Sequence, residues 1–595
     1  MIRVLAVLGT VLWAGSAGGA VIFVKAVLTS GGQDGTSWAD AFRGRSGLQA
    51  ALAAAHAGDD IWVAQGVYVA AGPGGDQSVS FNLKTGVRVL GGFSGVETHP
   101  DARAPSVFPT FLSGDLNGND GSGNFDAFWD NTYHVVRAVG PGASGTLDGF
   151  VIEAGRQDGV QFPAVPGGTG VLIEGASPHI LACVVRRNMC FEGAGALVLG
   201  GSPVFENCVF TGNIADTGGG ISVRGAGLLT VRRCEFTDPD YSFGTTTGIG
   251  IYAGSDGSQS GAAAVLIEDC EFSIQTNNVA ANGTGLTVAD GAVAVVRGSR
   301  FDRCRSSGGG GGIASYDAGG VFIDRCRFSG CEGVADGGSA IVATAFPQTA
   351  NGPERLLITN SVFTGNGRLG GGATVLVGGV SSRYVNCTFY DNGSTGKVHK
   401  QVDTNAALLV DNCVLWGNTS FDGAPGLAVA PGVAAMVRSS CVQGWAGEVP
   451  SSGTFAADPL FVDSDGVDGV SGTIDDDLRL SSASLCIDRG VNGLIPAGLV
   501  LDVAGLPRFR DQPGVSDLGS GGPPVADIGA NEFVPPCPAD FNADGVINTA
   551  DLTALLSTFG QSVNAFAGAD LDGDGLVSTQ DLTAVLASFG DICPE

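Results

Sequence analysis

The clearest chemistry in this 595-residue sequence lies in two acidic loops near its C-terminal end. Each loop has oxygen-bearing side chains at positions 1, 3, 5, 9 and 12 and glycine at position 6, and the second loop starts 30 residues after the first. Calcium takes about six to eight oxygen ligands, so such a loop can wrap one ion while the glycine makes the sharp turn. With the backbone carbonyl at position 7, the predicted calcium ligands are Asp540, Asn542, Asp544, Val546, Asn548 and Asp551, followed by Asp570, Asp572, Asp574, Leu576, Ser578 and Asp581.

A helix is predicted to follow each loop and to hold it in place. The segments DLTALLSTFG (551–560) and DLTAVLASFG (581–590) have the pattern of short amphipathic helices that end at a glycine. Two loops with one helix each resemble a dockerin module rather than a calmodulin-like pair, and aspartate at position 12 agrees with that resemblance. The resemblance implies a cohesin-like receptor as the partner, with a cell-surface anchor as the alternative.

Cysteines and further acids surround this module. Cys537 and Cys593 bracket it and are predicted to form a disulfide, because so small a core gains from a covalent staple. A separate acidic run at 463–477 offers ligands for a third calcium ion, and a solvated acidic loop explains that run equally well. The three ligands offered are Asp463, Asp465 and Asp468.

The body of the chain repeats a phrase in which a small residue precedes a phenylalanine by two positions, as in FENCVFTGN (205–213) and VNCTFYDN (385–392). The commonest spacing is about 26 residues, and longer gaps indicate insertions. The small residues are Cys183, Cys208, Cys234, Cys270, Ser299, Cys326, Ser361, Cys387, Cys413 and Cys441. The aromatic residues are Phe210, Phe236, Phe272, Phe301, Phe328, Phe363 and Phe389. Because side chains alternate along a strand, both columns are predicted to face inward.

Glycine-rich segments that precede an apolar strand, such as TGGGISVRG (217–225), give each repeat at least two strands. Equivalent strands would stack about 4.8 Å apart. The pattern predicts an all-β fold, a right-handed single-stranded parallel β-helix, followed by the small α-helical module. Asparagines five positions after the small residue are predicted to pair their amides between coils. Cys304 and Cys331 hold that same position in two successive coils and are predicted to form a disulfide.

Several phrases resemble known families. FTGN, FYDN and GGAT are similar to repeats of polymorphic outer-membrane adhesins, and VLGGFSGVET (89–98) resembles the start of secreted bacterial pectin-lyase-like β-helix proteins. The stretch 458–533, which ends in DIGANEF, resembles the choice-of-anchor end piece of those proteins. The predicted domains are a signal peptide over 1–20, a β-helix over 21–455 with its N-terminal cap and first coils in 21–145, an end piece over 456–534 and a dockerin-like module over 537–595.

The N-terminal residues and the charge indicate where the protein works. Arg3 precedes an apolar run and then small residues up to Ala20, which predicts a signal peptide and secretion. A retained anchor is the alternative, but the run is shorter than the roughly 20 residues that span a bilayer. No membrane span is expected once the signal is removed. The net charge of −29 excludes nucleic acid as a partner, because phosphate contacts require Lys and Arg.

Outward-facing residues between the two columns give the nearest approach to a catalytic pair. Glu235 and Glu271 fall on neighbouring coils, about 5 Å apart, which is the separation in retaining glycosidases. Arg300 and Arg327 follow on the next two coils. They are predicted to form a solvated salt-bridge ladder with the two glutamates, which would keep both acids ionised.

The sequence therefore predicts a secreted or cell-surface protein whose repetitive face binds a glycan or a protein. The calcium-dependent module would attach it, and the residues favour a non-enzymatic role. The alternative is a polysaccharide-degrading enzyme, either a glycoside hydrolase or a pectate-lyase-like lyase, that the module delivers.

Overall fold

The structure is a computed structural model. It describes residues 19–27, 30–121, 128–157, 166–237, 249–255, 261–274, 283–333, 337–345, 354–368, 373–393, 398–401, 406–418, 427–429, 431, 433–447, 449–510, 512, 515–534, 539–542, 546–563, 569–571, 575–590 and 593. The predicted signal peptide lies outside these residues except for its last two positions. No helix within the described ranges is long and apolar enough to cross a bilayer.

Short strands wind into a coil with three parallel faces, which we call faces 1, 2 and 3 in the order the chain visits them. Face 1 consists of Phe81–Asn82, Val136–Val139, Val171–Glu174, Ala196–Gly201, the first part of Ile221–Arg232, Ile251–Gly254, Leu286–Ala289, Ile313–Tyr316, Ile341–Thr344, Val375–Gly378, His399–Gln401 and Leu427–Val429. Face 2 consists of Val21–Lys25, Asp60–Ala64, Arg88–Phe93, Thr146–Asp148, His179–Leu181, Val204–Glu206, the last part of Ile221–Arg232, Ala263–Glu268, Val293–Arg297, Gly320–Asp324, Leu356–Thr359, Ser382–Val385, Ala407–Asp411, Ala434–Arg438 and Ser451–Ser452.

Face 3 carries the phenylalanine column on its inner side. Its strands are Gly66–Val69, Thr110–Ser113, Val151–Glu153, Val184–Arg186, Val209–Thr211, Glu235–Thr237, Glu271–Ser273, Arg300–Asp302, Arg327–Ser329, Val362–Thr364, Thr388–Tyr390, Val414–Trp416 and Cys441–Val442. The remaining elements are the strands Phe42–Arg43, Arg305–Ser306, Glu332–Gly333, Phe461–Asp463 and Asp477–Leu480, the 3-10 helices Pro100–Ala102, Phe128–Asp130 and Asn492–Leu494, and the helices α1 (Gly47–Ala54), α2 (Thr549–Thr558) and α3 (Thr579–Ala587).

Coil-on-coil stacking confirms the prediction for the aromatic column. Neighbouring phenylalanine rings from Phe210 to Phe389 lie nearly parallel, with centroids 4.6–4.9 Å apart. All seven are buried. The ring spacing equals the spacing of parallel strands, so each coil continues the column without a break.

A sharp turn joins face 2 to face 3 in each coil. The residue before each small residue has positive φ, as at Asn207 (54°) and Arg325 (55°). The small residue then fills the space under the turn, and backbone amides donate to it from the preceding coil, as Cys413 N does to Ser440 Oγ at 3.1 Å. The prediction that Cys441 is the last small residue is therefore wrong by one position. Cys441 is in register with Val414 and faces outward.

The asparagine column forms where the sequence predicts it. Asn188 Nδ2 donates to Asn213 Oδ1 at 3.0 Å, and Asn366 Nδ2 donates to Asn392 Oδ1 at 2.9 Å. The Cys304–Cys331 disulfide is not formed, because both are free, buried thiols. In parallel strands in register, equivalent side chains point the same way, so the two sulfurs lie side by side instead of facing each other.

The C-terminal part of the β-rich region folds back over the outer side of face 3. Ala530 N donates to Thr388 Oγ1 at 2.9 Å, and Gly529 N donates to the carbonyl of Asn412 at 2.9 Å. Leu478 and Ala530 pack on Val362 of face 3. We call residues 456–534 the C-terminal segment. It covers the apolar outer residues of the last coils.

A buried polar network holds this segment together. Arg508 has no solvent exposure, and its Nη1 donates to Glu532 Oε2 at 2.9 Å and to the carbonyl of Gly529 at 3.1 Å. The carboxylate of Asp527 accepts the amides of Asp488 and Phe533. Burial raises the pKa of Asp527 to about 7. The phrase DIGANEF (527–533) thus folds into a polar but fully enclosed corner.

Candidate functional site

Four charged side chains form a row on the outer side of face 3. Glu235 is in register with Glu271, Glu271 with Arg300, and Arg300 with Arg327. Glu235, Glu271 and Arg300 are exposed, and Arg327 is partly buried. The predicted salt-bridge ladder is not formed, since none of the four makes an ion pair with any described residue. Their neighbours pair elsewhere, as Arg233 does with Glu206 and Arg325 with Asp324.

The C-terminal segment turns this row into a cleft. Residues 503–505 overhang the strands that carry the two arginines and enclose a volume of about 240 Å³. That is space for about eight water molecules at roughly 30 Å³ each. The lining residues are Asp269, Gly298, Ser299, Arg300, Arg325, Arg327, Val503, Ala504 and Gly505. We call this space the arginine cleft.

Two like charges side by side define the electrostatics of the arginine cleft. Arg300 and Arg327 are adjacent in register, so their backbones are separated only by the spacing of parallel strands, about 4.8 Å. Burial lowers the pKa of Arg327 and repulsion from Arg300 adds to the shift, whereas the carboxylates of Asp502 and Asp477 oppose it. A planar guanidinium with free donors matches a carboxylate in a two-point contact. The cleft is therefore suited to an anion.

The glutamate pair is less suited to glycoside hydrolysis. Glu235 and Glu271 are adjacent, as predicted, but both carboxylates face open solvent. A glycosidase needs one protonated acid, which proteins obtain by burying it in an apolar pocket. Within the described ranges neither glutamate belongs to a group of three metal-ligating side chains. The geometry leaves their catalytic role a prediction without added support.

The C-terminal loops are described only in part, because Asp544, Asp572, Asp574 and Cys537 lie outside the described residues. The helices α2 and α3 follow the loops as predicted. Both position-12 aspartates, Asp551 and Asp581, are buried at the first turn of these helices.

The carboxylates of these two aspartates accept backbone amides near the start of their own loops. Asp551 Oδ1 accepts the amide of Phe541 at 2.8 Å, and Asp581 Oδ1 accepts that of Leu571 at 2.6 Å. Each carboxylate thereby ties its helix back to the start of its own loop. Asp570 is buried, while Asp540, Asn548 and Ser578 are partly exposed and Asn542, Val546 and Leu576 are exposed. Cys593 is disulfide-bonded, and its pairing with Cys537 stays a prediction.

The third acidic run forms an exposed turn. Asp463, Asp465 and Asp468 are all exposed. Asp468 Oδ1 accepts the amide of Val470 at 2.8 Å, and the amide of Asp468 donates to Asp475 Oδ2 at 3.0 Å. The turn therefore stabilises itself with its own carboxylates. A calcium ion at this position remains a prediction.

Comparison with known proteins supports the architecture. Residues 246–418 match the family model described as "Right handed beta helix region", and this stretch lies within the parallel coils. The chain is a right-handed parallel β-helix. A search of curated proteins found no match to its sequence.

Two solved structures match large parts of this chain. A crystal structure of pectate lyase Pel9A is 17% identical with a TM-score of 0.37, over 87% of this chain and 98% of that one. A tailspike protein mutant of E. coli bacteriophage HK620 is 12% identical with a TM-score of 0.22, over 67% of each chain. At these levels of similarity neither structure bears on the function of this chain.

Proposed function

We propose that this protein is a secreted β-helix protein that binds an anionic polysaccharide in the arginine cleft and is attached through its C-terminal calcium module. The observation that carries the first part is the pair Arg300 and Arg327, which are adjacent, unpaired among the described residues and covered by residues 503–505. The pair stands out in a chain with a net charge of −29.

An acidic sugar fits the cleft for electrostatic reasons. Two neighbouring guanidiniums repel each other. An anion between them adds two attractive interactions, which outweigh this repulsion. A carboxylate accepts charge-assisted hydrogen bonds from both. The volume suits one charged sugar unit, and the open side of the cleft lets the rest of a chain extend into solvent, away from Glu271 and Glu235. A uronate-containing polysaccharide combines both properties.

The attachment rests on the repeat within the C-terminal module. Two exposed apolar residues of the first half, Leu556 and Phe559, recur 30 positions later as Leu586 and Phe589. Exposed apolar side chains at equivalent sites of two halves suit a protein partner. With the resemblance of the loops to dockerins, we assign a cohesin-like receptor as this partner and calcium as the ion that orders the loops.

The test uses the full-length chain, calorimetry and oligogalacturonate, with a neutral galacto-oligosaccharide of equal length as the control ligand. Binding is expected for the acidic ligand alone and should weaken as salt is added. The Arg300→Gln and Arg327→Gln variants should each bind about tenfold or more weakly, because each loses charged hydrogen bonds worth roughly 1.5–3 kcal/mol.

Arg137→Gln is the matched control. Arg137 lies on face 1 and pairs with Glu174, so this variant removes the same charge without touching the arginine cleft. Its affinity should equal that of the unchanged protein. Equal binding by Arg300→Gln, Arg327→Gln and Arg137→Gln would refute the proposed site.

A lyase is the second candidate function, because Arg327 is partly buried in the arginine cleft, next to the position proposed for the uronate. A basic side chain in that position can take part in proton transfer from the bound sugar. The same samples distinguish the two functions. Steady release of unsaturated ends that Arg327→Lys reduces would establish the lyase, and binding without release would leave the binding protein.

A further inference from the structure

Three carboxylates meet near the N-terminal end of the β-helix, far along the chain from both sites above. Asp115 follows the face 3 strand Thr110–Ser113, and Asp130 ends the 3-10 helix Phe128–Asp130. One oxygen each of Asp115, Asp120 and Asp130 lie within 4.8 Å of one another. Burial raises the pKa of Asp120 to about 6, with repulsion from Asp115 and Asp130 adding to the shift.

Three buried oxygen atoms in and beside this cluster accept no hydrogen bond from any residue that the structure describes. Asn131 is 1% exposed, and its Nδ2 donates to Asp120 Oδ2 at 2.9 Å and to the carbonyl of Ala154 at 2.7 Å. Its Oδ1 is buried and accepts no hydrogen bond, and the same is true of Asp120 Oδ1 and Asp130 Oδ1. Three orphan acceptors in one place are costly unless something positive binds them.

The arginine side chains near the cluster do not bind these unsatisfied oxygen atoms. Among the described residues, none forms an ion pair with the three aspartates. Arg187 Nη2 donates to the carbonyl of Gly121 at 2.7 Å, and Arg45 Nη2 donates to the carbonyl of Asp115 at 3.1 Å. Both guanidiniums therefore bind backbone oxygens at the edge of the cluster.

Asp115 accepts the backbone amides of residues 118–120, and Asp130 Oδ2 accepts the side-chain amide of Asn117. Asp120 Oδ1 and Asp130 Oδ1 are therefore the carboxylate oxygens left without a partner within the part of the chain that the structure describes.

We propose that Asp115, Asp120, Asp130 and Asn131 bind a calcium ion. All four supply hard oxygen ligands, and calcium bonds of about 2.3–2.6 Å place opposite ligands roughly 5 Å apart, in keeping with the size of the cluster. Magnesium holds its ligands at about 2.0–2.1 Å in a strict octahedron and retains its waters, so it fits less well. The ion would tie the segment after the face 3 strand Thr110–Ser113 to the 3-10 helix Phe128–Asp130.

Terbium luminescence tests this site in the full-length protein. Trp129 precedes Asp130 in the chain, and the described part of the C-terminal module, like the rest of residues 537–595, contains no tryptophan. Terbium bound at the cluster should therefore emit when tryptophan is excited, and calcium should quench the emission by competition. The Asp120→Asn/Asp130→Asn double variant should bind terbium about tenfold or more weakly, because it loses two ligand charges.

Trp129→Phe is the matched control. It should lose the sensitised emission and still bind as many calcium ions by calorimetry as the unchanged chain, whereas the double variant should bind one fewer. Should the double variant fail to fold, Asp130→Glu keeps the charge and should shift the affinity without abolishing emission. Emission that is unchanged in the Asp120→Asn/Asp130→Asn variant, or that calcium does not displace, would overturn the proposal.

Discussion

His134 shows how one buried residue can make the β-helix sensitive to acid. It is 4% exposed, and its Nδ1 lies 3.2 Å from the carbonyl of Gly168. Burial lowers its pKa from 6.5 to about 4. The folded chain therefore keeps this ring neutral between about pH 4 and 6.5, while the unfolded chain binds a proton there, so stability falls as the pH drops through this window.

The prediction concerns the difference between the unchanged protein and His134→Asn, whose amide can still donate to Gly168. The unchanged protein should lose up to about 3 kcal/mol relative to this variant between pH 6.5 and 4. Hydrogen exchange of the strand Val136–Val139 measures the difference. Parallel pH curves for the two proteins would contradict the assignment.

Some residues of the candidate site could be predicted from the sequence, and others could not. The row Glu235, Glu271, Arg300 and Arg327 was predictable, because strand alternation and a constant period determine it. The arginine cleft was not, because its other wall comes from residues 503–505, about 175 positions beyond Arg327 with no local pattern to link them. The spacing of Asp115, Asn117 and Asp120 gave a signal for an oxygen cluster, but nothing in the sequence adds Asp130 to it.

At the scale of elements, the phenylalanine stack should control the stability of the coils. The ring centroid of Phe301 lies 4.7 Å from the ring centroids of both Phe272 and Phe328. Phe301→Ala leaves a cavity between two rings and should cost about 3–5 kcal/mol. Hydrogen exchange of the neighbouring face 3 amides reports this loss as easier local opening.

Phe322→Ala provides the comparison for the stack. Phe322 belongs to face 2 and is 36% exposed, so the same deletion should cost less than about 1 kcal/mol. Similar losses of stability for the two variants would mean that the stacked rings do not stabilise the coils more than a partly exposed phenylalanine does.

The elements themselves were largely predictable. A residue type that recurs at one spacing determines strand, register and inward face together, as it does for Phe210 through Phe389. The wrong predictions concern residues for which the repeat pattern does not determine the direction of the side chain. Cys441 continues the cysteine series in the sequence, but Ser440 is the residue that occupies the equivalent inward position in the structure. Cys304 and Cys331 are neighbours, yet adjacency in a parallel sheet does not direct two sulfurs at each other.

At the scale of the whole molecule, calcium removal should destabilise the C-terminal module and leave the stability of the coils that carry the phenylalanine stack unchanged. Chelation leaves the acidic loops with unbalanced charge, so the amides of α2 and α3 should exchange about tenfold or more faster, a loss of at least ~1.4 kcal/mol. The Asp540→Ala variant should show faster exchange even with calcium present.

The face 3 strands from Val209–Thr211 to Arg327–Ser329 serve as the internal control for chelation, since they carry the phenylalanine stack and lie several coils away from the calcium site proposed at Asp115. Their amides should keep their protection without calcium. Helices α2 and α3 that exchange equally with and without calcium would contradict the calcium assignment of both loops. The domain limits at 456 and 537 remain predictions that this experiment also probes.

The position of the C-terminal segment has a consequence for how such a molecule can change in length. Its anchoring contacts lie on the last coils, between Val362 and Cys441. A coil duplicated upstream of Glu235 would lengthen the rod by about 4.8 Å and meet the same neighbours above and below. Recombination can therefore move the N-terminal end outward in single steps, while the arginine cleft keeps a fixed distance from the C-terminal segment.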